Sequence, residues 1–272
     1  KILKPQVTEL VFHSGTITID TDKGTINHSD GSFLAGSLTE NFFLRSAGTA
    51  YPYKICTFIA DRINLGANLS VNIVGTAALS LRTRNHGDII ISTNIVADGG
   101  NNPTDDDGGI GRLAGWDGGK KQRDGQGPGK GKDRTQSNIG GGGGYGGPGW
   151  TNQNQLLTHG LSYGDSKVTH LIGGSGGGGG GNKGGGAGGG AIELMTDGSG
   201  TITISTGAKI SVNGGDTTEA IGGGGAGAGG SIRLIGASIV NNGTLEASGM
   251  AITSDKNGGG GRIAFVSDGK LV

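Results

Sequence analysis

The stretch from Ile172 to Leu194 reads IGGSGGGGGGNKGGGAGGGAIEL, and the interpretation of the whole chain starts from it. Most of it carries no side chain, and it runs directly into the alternating residues of 191–194. A flexible linker is the simplest interpretation, because glycine loses the most backbone entropy on folding. However, glycine and serine do not alternate here, and shorter versions of the same junction recur at 222–230 and 258–261. We therefore expect an ordered element rather than a linker.

The composition favours a narrow apolar core with large glycine-rich excursions. Gly supplies 64 of 272 residues, and the apolar residues, 32% of the chain, lie in short blocks. Collagen is excluded because there is no Gly-X-Y period and only 5 Pro. Lys+Arg and Asp+Glu both number 22, which gives no reason to expect nucleic acid as a partner. No run approaches the roughly 20 apolar residues of a membrane helix.

Short strands are predicted almost throughout, because apolar and polar residues alternate and no window has helical periodicity. A three-strand unit repeats along the chain: 79–81, 88–91 and 94–100; then 192–194, 201–204 and 209–215; then 232–234, 238–240 and 244–249; and 262–265 begins a fourth copy. Each copy spans about 20–25 residues, the size of one coil of a parallel β-helix. An antiparallel sandwich is the alternative, because it is also built from short strands.

Alternation places one set of apolar side chains on the same face of these strands. The set is Leu79, Leu81, Ile89, Ile91, Ile192, Leu194, Ile202, Ile204, Ile210, Val212, Ile232, Leu234, Leu245, Ile263 and Phe265. The bulky residues at 42–44, continued by Ile55, Phe58 and Ile59, are expected to plug one end of the core, and Cys56 among them is expected to be a buried free thiol.

The predicted fold is all-β: a right-handed parallel β-helix (solenoid) with polyglycine II insertions packed on one corner. Polyglycine segments can form extended three-fold helices, which rise about 3.1 Å per residue and exchange backbone hydrogen bonds with their neighbours. The expected organisation is an N-terminal β segment and cap at 1–61, first coils at 62–100, a long glycine-rich insertion at 101–190, and further coils at 191–272, within one structural domain.

The order of glycine run, 191–194, 201–204, 210–215, second glycine run and 231–234 resembles a class of secreted glycine-rich β-solenoid surface proteins. The segments 16–26 and 58–66 look like the N-terminal parts of such proteins. The glycine blocks are also similar to phage tail-fibre adhesins whose tip is a sandwich of polyglycine II helices. Both resemblances imply an extracellular, cell-surface or virion location, and neither implies a catalytic residue.

Few residues point to catalysis, a metal or a cofactor. Asp105, Asp106 and Asp107 could offer oxygen ligands to calcium, but they lack the loop spacing of a calcium site, so a solvated acidic turn is the alternative. Glu193, Arg233 and Arg262 are expected to stack as a structural charge ladder. The five His are scattered. We predict no catalytic residue, no metal and no cofactor.

Two less glycine-rich excursions, at 112–138 and 145–171, hold the residues that we expect to contact a partner. Aromatic rings with amide and carboxylate neighbours suit saccharide or protein surfaces. The candidates are Trp116, Arg123, Tyr145, Trp150, Asn152, Asn154, His159, Tyr163 and Asp165. The alternative is that these aromatics only cover the glycine layer.

The function expected from these observations is that of a non-enzymatic extracellular structural or adhesive protein: a cell-surface protein, a fibre subunit or a tail-fibre adhesin. Its partners would be carbohydrate or protein on a cell surface, or neighbouring subunits in a homo-oligomeric filament, and not nucleic acid. The alternatives are a β-helix enzyme that degrades polysaccharides and an ice-binding protein. Asn27, Asn68 and Asn242 begin N-glycosylation sequons.

Overall fold

The computed structural model describes residues 7–45, 48–133, 139–150, 158–217, 223–251 and 256–267. Within these residues the regular secondary structure consists of strands and includes no helix, so the all-β prediction is confirmed. The strands are β1 (Leu10–Asp20), β2 (Thr25–His28), β3 (Phe33–Ala35), β4 (Ser37–Leu44), β5 (Ala50–Ala60), β6 (Ile63–Val74), β7 (Ala78–Thr83), β8 (Ile89–Ile91), β9 (Ile95–Val96), β10 (Ala191–Met195), β11 (Thr201–Ile204), β12 (Lys209–Ser211), β13 (Ser231–Ile235), β14 (Ser238–Asn241), β15 (Thr244–Glu246) and β16 (Arg262–Val266).

The strands form three sheets that the chain visits in turn. The orders are β14-β11-β8-β6-β1-β2-β3, then β16-β13-β10-β7-β5-β4, and β15-β12-β9. Among the described residues, ten of the thirteen strand pairs are parallel. The strands β7, β8 and β9 each belong to a different sheet, and β10, β11 and β12 pair beside them in the same order. This pairing contradicts an antiparallel sandwich.

The register aligns the apolar positions of successive repeats. Leu79 pairs with Ile192, which pairs with Ile232, and all three are fully buried. Two members of the predicted apolar face differ: Ile263 and Phe265 are 37% and 41% exposed. Their strand, β16, is the last of its sheet, so no further strand of the described chain covers them. Leu245 is half-buried for the same reason, because β15 is also an edge strand.

The N-terminal end of the sheets is antiparallel. β4 pairs with β5, and β2 pairs with both β1 and β3. Phe58 is fully buried in the core, as predicted, but Phe42, Leu44 and Ile59 are 59%, 67% and 46% exposed, so the expected plug is wrong for these three residues. The physical reason is that β4 is an edge strand and Phe42 and Leu44 lie on its outer side.

The glycine-rich segments between β9 and β16 form a layer joined by backbone hydrogen bonds. We call the segments 140–144, 173–190, 223–230 and 258–261 the glycine layer. Every third amide of 173–180 donates to the same neighbouring segment: Gly174, Gly177 and Gly180 donate to Gly189, Gly186 and Lys183, at 2.9, 2.9 and 2.8 Å. The amides of Gly186 and Gly189 donate in turn to Gly225 and Ala228. The buried backbone is therefore paired from one segment to the next.

The segments approach so closely that a side chain does not fit between them. A Cβ atom at Gly188 would lie 1.8 Å from the carbonyl oxygen of Gly174, and one at Gly227 would lie 1.7 Å from that of Ala187. Both contacts are with backbone, which cannot rotate away as a side chain can. Glycine is therefore required at these positions by the close approach of the backbones.

Candidate functional site

A groove separates the β4–β5 hairpin from the first turn of the long insertion. Its volume is about 330 Å³, which is within the range of small-ligand sites. The walls combine aromatic, apolar and polar side chains: Glu40, Asn41, Phe42, Pro52, Tyr53, Lys54, Thr76, Ala114, Gly115 and Trp116. We call it the aromatic groove. Of the predicted contact residues that the structure describes, only Trp116 lies in it.

A strained turn places Trp116 in the groove wall. The Gly115 amide donates to the Arg112 carbonyl at 2.8 Å, and the two residues between them, Leu113 and Ala114, have φ of 49° and 61°. Both are in the left-handed region that glycine and asparagine favour, which costs about 1–3 kcal/mol for each other residue. Burial of the Leu113 side chain in the core offsets part of this cost.

Backbone hydrogen bonds to the glycine layer hold Trp116 in place. Its amide donates to the Gly174 carbonyl at 3.1 Å, and its carbonyl accepts from the Gly188 amide at 2.8 Å. The five-membered edge of the indole lies so close to Gly127 that a Cβ there would be 2.6 Å from Cγ. Nε1 is buried and has no hydrogen-bond partner among the described residues. A buried unpaired donor costs about 1–3 kcal/mol. The ring of Tyr51 packs edge-on against the indole, with centroids 5.8 Å apart.

The charged groups of the groove neutralise each other. Lys54 Nζ lies 3.2 Å from Glu40 Oε1, and both side chains are more than half exposed. The phenol of Tyr53 is 8% exposed and its oxygen lies 3.2 Å from His170 Nδ1. Burial raises the pKa of Tyr53, so its hydroxyl stays protonated at neutral pH. The groove thus has polar groups but no unpaired charge among its lining residues.

Two of the predicted contact residues, Tyr145 and Tyr163, are buried and cannot form part of a contact surface. They are 1% and 6% exposed, and their ring centroids lie 4.8 Å apart. The Tyr163 hydroxyl donates to the Gly173 carbonyl at 2.7 Å, and the Arg262 guanidinium lies over the Tyr145 ring. Burial raises the pKa of Tyr145 to about 12 and that of Tyr163 well above its usual range. Both rings belong to a second apolar cluster that covers the glycine layer, which is the alternative noted for these aromatics.

Three more predicted contact residues, Trp150, His159 and Asp165, are absent from the groove lining among the described residues. Trp150 is 51% exposed, and its amide donates to the Asn257 carbonyl at 2.8 Å. His159 is half-buried. Asp165 organises its own turn, because its carboxylate accepts from the Thr169 amide and hydroxyl. Asn152 and Asn154 lie outside the described residues.

A second cleft, of about 620 Å³, contains Arg123 and two neighbouring carboxylates. Asp124 accepts from the Asp133 amide at 3.0 Å and pairs with Lys130 at 2.9 Å. Burial and the neighbouring Asp124 carboxylate raise the pKa of Asp133. Burial also acts to raise the pKa of Asp124, but hydrogen bonds from Lys130 and the Asp133 amide outweigh it and lower the net value. The sequence analysis missed this pair, because the two residues are separated by a glycine-rich turn.

Each carboxylate of the acidic run at 105–107 forms an ion pair with a lysine. Asp105 lies 2.8 Å from Lys183, Asp106 lies 3.6 Å from Lys121, and Asp107 lies 3.1 Å from Lys120. Hydrogen bonds from their lysines lower the pKa of Asp105 and Asp107. Across the described residues, no group of three or more His, Cys, Asp or Glu is arranged to hold a metal. The ion pairs favour the solvated turn over the calcium site.

The charge ladder forms in part. Glu193 is fully buried and pairs with Arg82 at 2.9 Å and with Arg233, and it accepts from the Ser80 hydroxyl at 2.7 Å. Burial acts to raise its pKa, but Arg233, Ser80 and Arg82 outweigh this and lower it. Arg262 is not in this ladder, because the register pairs it with Ser231.

Four further predictions concern single residues. Cys56 is fully buried and free, as predicted, and burial raises the pKa of its thiol to about 11. The sequon residues Asn27, Asn68 and Asn242 are all exposed, so the fold leaves each one accessible.

The groove residues of the hairpin were missed by sequence reasoning. Phe42 was interpreted as core, and Glu40 and Lys54 carried no signal by themselves. The cross-strand register pairs Glu40 with Lys54 and Phe42 with Pro52, which brings these side chains to one site. The bulky run at 42–44 is the signal that the sequence carries here, and it does not indicate which strand pairs with it.

Comparison of the chain with protein-family models, with curated proteins and with solved structures finds no match. Within the described residues, no helix has the length and apolar character needed to cross a membrane. Function is therefore argued from the structure itself.

Proposed function

We propose that the chain is a right-handed parallel β-helix whose insertions form a polyglycine II layer. The cyclic order of strands through three sheets supports the β-helix, because each three-strand repeat adds one strand to each sheet. The three-residue period of the hydrogen bonds between glycine segments supports the polyglycine II layer, because a three-fold helix presents every third amide on the same side.

In this proposal the protein is a non-enzymatic, extracellular structural or adhesive protein. The observation that carries it is the glycine layer itself, in which long segments of the chain are buried and hydrogen-bonded. Such a layer is an ordered platform, since its amides pair with carbonyls of neighbouring segments and its backbones are in contact. Trp116, which lines one side of the aromatic groove, and the exposed Trp150 lie on loops whose backbones hydrogen-bond to this layer. A rigid stem that displays fixed loops suits attachment to carbohydrate or protein on a cell surface, or to neighbouring copies in a fibre.

One observation favours a second candidate, a polysaccharide-cleaving enzyme. The carboxylates of Asp124 and Asp133 lie in the larger cleft with pKa values displaced in opposite directions. Carboxylates with different pKa values serve as acid and base in glycoside hydrolysis, but those pairs stand about 5–10 Å apart, whereas the Asp133 and Asp124 side chains hydrogen-bond to each other. However, Asp124 is already paired with Lys130, which opposes a role in proton transfer.

Retention of the purified chain on intact microbial cells and on insoluble polysaccharides tests the adhesive function, and release of reducing ends tests the enzyme. We expect the protein to sediment with at least one of these surfaces and to release no reducing ends. Sugar release that disappears in Asp133→Asn would establish the enzyme. Absence of retention on every surface would contradict the adhesive role.

A further inference from the structure

We propose that the aromatic groove binds the ring of a neutral saccharide, with Trp116 and Phe42 as the stacking surfaces. This inference deepens the proposed adhesive function and rests on it, since it names the site and the chemical class of the ligand. The observations that carry it are the shape and lining of the groove, its charge balance, and the local cost of placing Trp116 there.

The size of the groove selects a small ligand. Its volume of about 330 Å³ is at the lower end of the range for small-molecule sites. The groove therefore has room for sugar rings.

The lining offers aromatic surfaces for the C–H groups of a sugar ring and polar groups for its hydroxyls. The C–H groups of a pyranose carry partial positive charge and favour the face of an aromatic ring, whose π electrons are negative. Trp116 is half-buried and Phe42 is 59% exposed, so both rings are accessible in the groove wall. Asn41 and Thr76 also line the groove and supply groups that hydrogen-bond with hydroxyls.

The charge balance selects a neutral sugar. Glu40 and Lys54 are the charged side chains of the lining, and they pair with each other at 3.2 Å. An anionic sugar would have to compete with Glu40 for the lysine. A neutral sugar accepts and donates hydrogen bonds to the pair without separating it.

Two features that are unfavourable in free energy occur at or next to Trp116. The turn that precedes it uses Leu113 and Ala114 in the left-handed region, and its own indole N–H is buried without a partner among the described residues. Backbone strain and unpaired buried polar groups frequently occur at functional sites. A ligand that stacks on the indole would supply binding free energy that offsets these costs.

The chain offers a direct optical assay, because Trp116 and Trp150 are its 2 Trp. In Trp150→Phe, Trp116 is the sole tryptophan, so a ligand in the groove changes an emission that comes from the site alone. We would titrate this variant and the wild type with cellotetraose, maltotetraose and mannotetraose, and with sialyllactose as the anionic comparison. We expect saturable emission changes, and matching heats in calorimetry, with at least one neutral sugar.

Substitutions separate the groove from the rest of the surface. Trp116→Ala and Phe42→Ala should each weaken neutral-sugar binding by about tenfold or more, while Phe265→Ala, at an exposed aromatic residue on a different edge strand, should leave it unchanged. Trp116→Phe, which keeps an aromatic ring, should retain most of the affinity. Phe42→Ala guards against loss of folding, because Phe42 is an exposed side chain on an edge strand.

Three outcomes would overturn the inference: no binding of any neutral sugar in the panel, tighter binding of sialyllactose than of the neutral sugars, or unchanged affinity in both Trp116→Ala and Phe42→Ala. The retention assay keeps the two proposals distinct. If Trp116→Ala is retained on cells as well as the wild type, the adhesive function stands and the groove inference fails. If sugars bind the groove but the wild type is retained on no surface, the adhesive function fails and the groove inference stands.

Discussion

Replacement of Gly188 by alanine tests whether close backbone contact holds the glycine layer together. The new Cβ would lie 1.8 Å from the Gly174 carbonyl oxygen, whereas ordinary van der Waals contact begins at 3.4 Å. The two segments must therefore separate by about 1.6 Å, which follows directly from these distances. The hydrogen bond from the Gly174 amide to Gly189, now 2.9 Å, cannot survive this separation.

The expected loss is a sum of opposing effects. Overpacking costs about 1–3 kcal/mol, and an unpaired buried backbone group costs about 1–3 kcal/mol more. The alanine restricts the unfolded chain, which returns about 0.4–1 kcal/mol. We expect Gly188→Ala to lower the free energy of unfolding by about 1–6 kcal/mol, measured by urea unfolding followed by circular dichroism.

Gly260 provides a matched control within the same layer. A Cβ at Gly260 meets no atom within 4 Å, and its φ is not in the left-handed region. Gly260→Ala should therefore be neutral or slightly stabilising. Equal destabilisation by Gly188→Ala and Gly260→Ala would refute the reasoning, as would a Gly188→Ala variant within about 0.5 kcal/mol of the wild type.

Other predictions concern buried and paired groups. Replacing Glu193 by alanine leaves Arg233 and Arg82 unpaired and should cost about 3–5 kcal/mol of unfolding free energy. Folding lowers the pKa of Glu193. Its contribution to the free energy of unfolding is therefore complete above the ordinary pKa of 4.5 and is lost as the pH falls below that value. Glu193→Gln should flatten this acid limb of a plot of unfolding free energy against pH. Cys56 should react with a disulfide reagent only at the rate of unfolding, and rapid labelling of the native protein would contradict its burial. Calcium should leave the Tm unchanged, because lysines pair with 105–107, and a rise in Tm would reopen the metal site.

The repeats could be predicted because their signal is local. Alternation of apolar and polar residues along 79–81, 192–194 and 232–234 predicts both the strands and the face that each buries. The observed register joins these same segments in parallel. The exposure of Ile263 and Phe265 could not be predicted, since it depends on whether another strand lies beside β16.

The candidate site could not be assembled in the same way. The hairpin side chains Glu40, Phe42 and Lys54 meet Trp116 only because the insertion returns to the β4–β5 hairpin. The prediction for Tyr163 is wrong in the opposite direction, because a residue expected at the surface is buried. Its polar and glycine-rich surroundings in the chain suggested a surface loop, yet its hydroxyl reaches the Gly173 carbonyl and its ring is buried.

The amino-acid sequence by itself determined the all-β class, the repeat and the positions where glycine runs leave and rejoin the strands. These features follow from side-chain periodicity and from the absence of Cβ atoms, which act over a few residues. Only the tertiary structure decided which glycine segments are neighbours and which aromatic rings remain exposed. Whether a glycine segment is hydrogen-bonded and whether a ring is buried both depend on parts of the chain that are distant in sequence. Gly174, for example, pairs with Gly189, and Gly186 pairs with Gly225.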